Sequence, residues 1–255
     1  MPPAHVAGKQ AASVTQLGLP YLLALPALWN PAQSWPLLIY LHGAGESGTD
    51  PKELLSQGAT GTPPMLAESP IRFDRSVDHP IRSLIVASPQ TDAGWIGKRM
   101  ANKVVGLLDE LLSMKLGVDA KRVYLTGVSM GGAGTFSIAT LHSHRWAAVV
   151  PVCGAPPDDP RWAHRLRQKP LWIWHGANDV VMPVDYSDQA ADALRAVGAK
   201  ALQYTRLENA PAPFGWPHYQ GHAAWIPTYA ADSALWPWLA QQVLSASDQE
   251  VSGNI

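Results

Sequence analysis

Gly127-Val128-Ser129-Met130-Gly131 has the pattern G-x-S-x-G. The apolar run 122–128 leads into it, and a small-residue segment that reads as the start of a helix follows. A serine at such a strand–turn–helix junction is lifted above the strand tip, with the helix N-terminus pointing at a reacting carbonyl. Small neighbours two residues either side let the backbone adopt the strained turn. A serine hydroxyl is a weak nucleophile until a base takes its proton, so an imidazole and an acid that orients it are required. In this arrangement they follow in the order acid, then histidine. Asp179 in H-G-A-N-D-V-V-M-P sits just past the run 170–175, at the sheet edge where catalytic groups gather. Asp185 and Asp188 compete with it but fall at a helix start, where acids suit the dipole. His222 in G-H-A-A-W follows the run 201–207 and is the expected base. His218 is its rival, and Gly221 favours His222 by permitting a close approach.

Acyl transfer also needs N–H donors for the oxyanion. The glycine-rich stretch Leu41-His42-Gly43-Ala44-Gly45-Glu46-Ser47-Gly48 follows a central strand, so the Ala44 and Met130 N–H groups are the expected pair. No GK[ST] follows, which argues against a phosphate loop. His142 and His144 end a helix and His175 ends a strand, so these three read as structural. Without HExxH or paired Cys/His spacing, no metal site is expected.

These groups need a frame. The runs 36–42, 82–88, 122–128, 146–152 and 170–175 are almost continuously apolar, as in parallel strands covered on both faces. Helical periodicity marks 100–116, 130–142, 185–197 and 232–243. The alternation predicts an α/β fold with a mostly parallel central sheet and helices on both faces. The run 19–26 reads as an antiparallel piece at the N-terminal side. The stretches 43–80 and 209–225 are long, Gly- and Pro-rich connections of the kind that carry function. The segment 153–169 is too short for a large cap domain. A single domain over 1–255 is expected, with loosely ordered ends at 1–16 and 245–255.

Composition narrows the class further. The chain has 255 residues, of which 15% are charged, for a net charge of −1, so electrostatics offer no reason to bind nucleic acid. One cysteine, Cys153, excludes an internal disulfide. No apolar run approaches the ~20 residues of a membrane span, and no secretory signal is visible, so a cytoplasmic location is the default expectation. Eleven tryptophans are many for this length. Trp95, Phe214, Trp216, Tyr219 and Trp225 mostly flank His222 and are read either as lining for an acyl or aryl ester or as loop packing.

Together LHGAGESG, GVSMGG, HGANDVVMP and GHAAW resemble the α/β-hydrolase superfamily over nearly the whole chain. Within it the chain resembles the phospholipase/carboxylesterase group and its feruloyl-esterase and predicted-peptidase branch. That resemblance implies a carboxylic-ester hydrolase working through Ser129, His222 and Asp179 by an acyl-enzyme, with Ala44 and Met130 as the oxyanion hole. It implies no cofactor and a small-molecule ester partner. Ala87-Ser88-Pro89-Gln90 with Trp95 resembles a pocket-bordering stretch of the peptidase branch, so Gln90 and Trp95 join Trp216 and Trp225, which flank His222, as the expected substrate-binding residues. A peptidase or amidase on the same triad is the alternative, and a non-catalytic binding module a third. The missing elbow cysteine counts against dienelactone hydrolases, and the missing aspartate nucleophile against haloalkane dehalogenases.

Overall fold

The apolar runs become strands of one eight-stranded sheet in the computed structural model, which describes residues 10–68 and 79–244. The strands are β1 (Gln10–Val14), β2 (Pro20–Ala24), β3 (Trp35–Leu41), β4 (Ile85–Pro89), β5 (Val118–Val128), β6 (Ala148–Val152), β7 (Leu171–Gly176) and β8 (Leu202–Leu207). Their order across the sheet is β1-β2-β4-β3-β5-β6-β7-β8. β1 and β2 pair antiparallel with each other, and β2 with β4; the remaining pairings are parallel. The helices are α1 (Pro63–Ala67), α2 (Lys98–Ser113), α3 (Met130–Leu141), α4 (Trp162–Leu166), α5 (Asp185–Ala196), α6 (Trp225–Thr228) and α7 (Leu235–Ala240).

The two-residue repeat of a strand divides the core between the two faces of the sheet. From β3, Leu37, Ile39 and Leu41 join one apolar cluster with Val104, Leu107 and Leu111 of α2 and Phe136 of α3. Leu38 and Tyr40 join the other, with Trp225 of α6 and Leu235 and Trp236 of α7. α2 is amphipathic and buries Ala101, Val104, Leu107, Leu108 and Leu111, the i, i+3, i+4 stripe that its sequence shows. α3 is buried over most of its circumference, from Gly131 to Thr140. It is therefore pinned from all sides directly behind Ser129.

Several boundaries differ from the sequence reading. Residues 10–14, expected to be loose, pair with β2 as an edge strand. Their burial is shallow, so apolar periodicity could not reveal them. The strand expected at 82–88 begins at Ile85, because Pro80 starts a 3-10 turn that consumes Arg82 and Ser83. The helix expected at 232–243 shrinks to α7. Pro237 lacks an N–H and clashes with a preceding turn, so it is tolerated only near a helix start. The expectations for residues 1–9 and 245–255, and for 69–78 within the long connection, lie outside the described residues.

Candidate active site

Ser129 stands between β5 and α3 with φ 54° and ψ −116°. Among the described residues it shares a positive φ with only one other non-glycine residue, Cys153 at the end of β6. Both lie at the C-terminal sheet edge, so the backbone strain is concentrated there. The elbow depends on a missing side chain: a Cβ on Gly131 would sit 2.0 Å from the Leu41 carbonyl oxygen and 2.7 Å from that of His42. Only glycine lets α3 start so close to the end of β3.

Asp179 lies in the turn after β7. Its Oδ1 accepts from the backbone N–H groups of Val181 at 2.8 Å and Met182 at 2.9 Å. Its Oδ2 lies 2.9 Å from His222 Nδ1, while His222 Nε2 lies 3.0 Å from Ser129 Oγ. Asp179 accepts only, so His222 Nδ1 carries the hydrogen and Nε2 receives the serine proton. Burial pushes the Asp179 carboxyl up, but hydrogen bonds from His175, His222 and the Met182 N–H outweigh it and hold the group well below the usual carboxylate range. It is an anion throughout the neutral range.

The base loop is tied to the acid loop through the main chain. Val180 N–H donates to the Gln220 carbonyl at 3.0 Å, and Asn178 exchanges two bonds with the Ala210 backbone. Between them Gly221 has φ 79°, and a Cβ there would meet Asn178 backbone atoms at 2.3 Å. A glycine is therefore what permits His222 to approach Asp179. His218 instead packs in an exposed group with Trp216 and Tyr219. Asp188 is turned away, accepting from the Tyr204 hydroxyl at 2.6 Å.

The oxyanion stretch forms a 3-10 turn, Ala44–Glu46, after β3. It is built against the elbow: a Cβ on Gly43 would lie 3.6 Å from the Val128 carbonyl oxygen. Met130 opens α3, where the first N–H groups lack intrahelical acceptors. One buried side chain, His42, braces the turn. His42 Nδ1–H donates to the Gly43 carbonyl at 2.6 Å, and its Nε2 accepts from the Thr91 N–H at 3.1 Å. Burial lowers His42 to about 4, so it stays neutral and keeps that tautomer. Glu46 lies within electrostatic reach of His222; burial raises its carboxyl, partly offset by the Gly43 and Glu46 N–H groups.

The expected substrate-binding residues separate into two groups. Trp95 is 0% exposed and its indole N–H donates to the His42 carbonyl at 3.0 Å. Gln90 is equally buried and its amide donates to the Glu46 carbonyl at 2.9 Å. Both hold the Ala44–Glu46 turn through these bonds, and the sealed Trp95 departs from the sequence reading in that it offers no open face to a ligand. Gln90 also borders a cavity of about 310 Å³ with Thr91, Gly94 and Arg99, which the Ser129-Asp179-His222 constellation does not line. Trp225 lies against His222, and Trp216 stands in the loop that precedes it. Trp225 presents its ring edge-on to His222 at 5.8 Å and donates to the Thr60 carbonyl. Trp216 is 49% exposed and stacked on Tyr219.

Among the described residues, Cys153, Asp179 and His222 bring potential ligand atoms within 4.8 Å of one another. Those atoms suit a hydrogen-bond relay better than a cation. Both Asp179 oxygens and both His222 nitrogens are engaged, and burial pushes the Cys153 thiol above its usual range, so the sulfur stays protonated.

Sequence reasoning passed over His42 and read His175 as structural. His175, fully buried at the end of β7, approaches Asp179 Oδ2 at 3.3 Å. Each histidine directly precedes the glycine that opens the loop after its strand.

Residues 92–210 match the dienelactone hydrolase family model. The match holds although the elbow carries serine, so the missing cysteine does not separate this chain from that family's fold. An acyl-protein thioesterase 1 homolog 2 of Dictyostelium discoideum is 27% identical over 124 residues, 48% of this chain and 55% of the relative. The bifunctional acetylxylan esterase/xylanase XynS20E of Neocallimastix patriciarum is 27% identical over 158 residues, 60% of this chain and 20% of that one. The chain thus spans about half or less of the curated relatives it matches. A thermostable esterase of known structure superimposes with a TM-score of 0.73 at 28% identity, covering 92% of this chain and 63% of the other. With its mostly parallel sheet and elbow, the chain has the α/β-hydrolase fold, and it is similar to esterases and to an acyl-protein thioesterase homolog of the carboxylesterase- and phospholipase-like group.

Proposed function

We propose that the chain is a serine carboxylic-ester hydrolase acting on small to medium uncharged acyl or aryl esters. The observation that carries this reading is one imidazole spanning Ser129 Oγ at 3.0 Å and Asp179 Oδ2 at 2.9 Å. Relatives named as a thioesterase and an acetylxylan esterase point the same way.

In this reading Ser129 Oγ attacks the ester carbonyl carbon while His222 Nε2 takes its proton. The Ala44 and Met130 N–H groups hold the oxyanion. Collapse of the tetrahedral intermediate breaks the C–O bond, and His222 returns the proton to the leaving alcohol. Water then attacks the acyl-enzyme by the same route and releases the acid. Asp179 remains ionised throughout and stabilises the imidazolium. Trp225 supplies apolar surface beside His222, and the exposed Trp216 and Phe214 stand in the loop that precedes it.

The test is fluorophosphonate labelling followed by peptide mass spectrometry, with turnover of p-nitrophenyl acetate and butyrate. Labelling at Ser129 and loss of turnover in Ser129→Ala are expected. Turnover that survives in this variant overturns the reading, and preferential cleavage of aryl-amide peptides would replace esterase by peptidase.

A further inference from the structure

His175 and Asp179 are four residues apart across the end of β7, and both side chains are fully enclosed. His175 Nε2 lies 2.9 Å from the Met182 carbonyl oxygen and 3.3 Å from Asp179 Oδ2. Neither of these oxygens can donate, so Nε2 must carry a hydrogen. On the other side of the ring, His175 Nδ1 lies 2.7 Å from the hydroxyl of Ser187, which is buried in α5. A serine O–H donating there leaves Nδ1 as an acceptor. The ring is then held in one tautomer from both sides. Its Nε2–H meets the same carboxylate oxygen that receives His222 Nδ1–H. Two imidazoles therefore share Oδ2, while Oδ1 is filled by the Val181 and Met182 N–H groups.

We infer that His175 is a positioning residue: with Ser187 it clamps Asp179 Oδ2 and sets how much of the carboxylate's charge is available to His222. The inference rests on the proposed Ser129-His222-Asp179 chemistry and deepens it. Other groups facing the trio are Cys153 beyond β6, within 4.8 Å of Asp179 and His222, and Glu46 in the oxyanion turn. Asp188 on α5 is turned to Tyr204 and Arg206 of β8 and leaves the trio alone.

The sign follows from the sharing. A competing N–H on Oδ2 weakens the bond to His222 and so lowers the imidazole's basicity. Without it, Asp179 stabilises imidazolium more strongly, and His222 must shed its proton at higher pH to act as base. The acid limb of kcat/KM for p-nitrophenyl acetate should therefore move up by about half to one pH unit in His175→Leu. His175→Gln, whose amide can still donate, should restore part of that shift. A lower kcat with an unmoved limb would mean that His175 only packs the core, and would overturn the inference.

A second measurement needs no variant. Long-range proton–nitrogen spectra of wild-type protein carrying ¹⁵N-histidine report each ring's tautomer. His175 should show a protonated Nε2 and a bare Nδ1. A protonated Nδ1 sinks the clamp whether or not the variants fold. Failure of the underlying reading looks different, because then wild-type protein would escape fluorophosphonate labelling at Ser129.

Discussion

Replacing Asp179 by asparagine changes one atom and little volume, yet the hydrogen bonds around it forbid the exchange. Every close partner of the carboxylate is a donor: two backbone N–H groups at 2.8 and 2.9 Å on Oδ1, and His222 at 2.9 Å with His175 at 3.3 Å on Oδ2. An amide can face only one of these pairs with its oxygen. If the oxygen keeps the backbone pair, the NH2 points at His222, which must turn Nδ1 into an acceptor and move its hydrogen to Nε2. The ring then presents N–H to Ser129 and can no longer take its proton. A tautomer error of this kind costs about 10⁴-fold in kcat, or about 5 kcal/mol of transition-state stabilisation. If the amide turns the other way, its NH2 opposes two main-chain donors, at about 1–3 kcal/mol of stability for the bonds lost. The assay is p-nitrophenyl butyrate turnover from pH 5 to 9, beside thermal unfolding of both proteins. A folded Asp179→Asn enzyme within tenfold of wild-type kcat would refute the orientation assigned to His222.

Three further outcomes follow from the same geometry. Gly131→Ala places a methyl 2.0 Å from the Leu41 carbonyl oxygen, with backbone on both sides, so it should cost about 3 kcal/mol or more, read as a fall in Tm or in soluble yield. Because the Asp179 carboxyl is held below its ordinary value, the stability it contributes is complete above about pH 4 and is lost as pH falls through the folded-state value. Wild-type Tm should accordingly drop more steeply than that of Asp179→Asn between pH 4 and 2, and parallel curves would contradict this. Trp216→Ala removes a half-exposed ring stacked on Tyr219, so Tm should hardly move, while KM for aryl esters should rise about threefold if the ring meets substrate. An unchanged KM would assign Trp216 to loop packing.

Much of the site was legible because its parts are local signals. The elbow is a strand end, a serine and small residues within five positions, and its steric demands are met by near neighbours in sequence. Asp179 follows β7, whose apolar run marks it as buried, and His222 follows β8, the edge strand paired beside it, so their strand ends meet at one end of the sheet. Gly221 was a fair pointer to His222, and the close approach to Asn178 gives the reason.

What the tertiary structure alone decided is which polar and aromatic side chains face the site and which face its supports. Trp95 and Trp216 are the same residue type in loops of similar composition; one is sealed behind the oxyanion turn and the other half-exposed, because burial is set by what distant segments lay over each. β1 exists because β2 offers it an edge, a pairing energy its own sequence does not encode. His42 and His175 read alike in the chain, each before a glycine at a strand end. Their roles depend on acceptors and donors brought from elsewhere in the fold: Thr91 for one, Asp179 and Ser187 for the other. Sequence determines the chemistry available at the sheet edge, since residue type and local backbone suffice for that. Hydrogen-bond direction requires two partners in space, and only the folded chain supplies both.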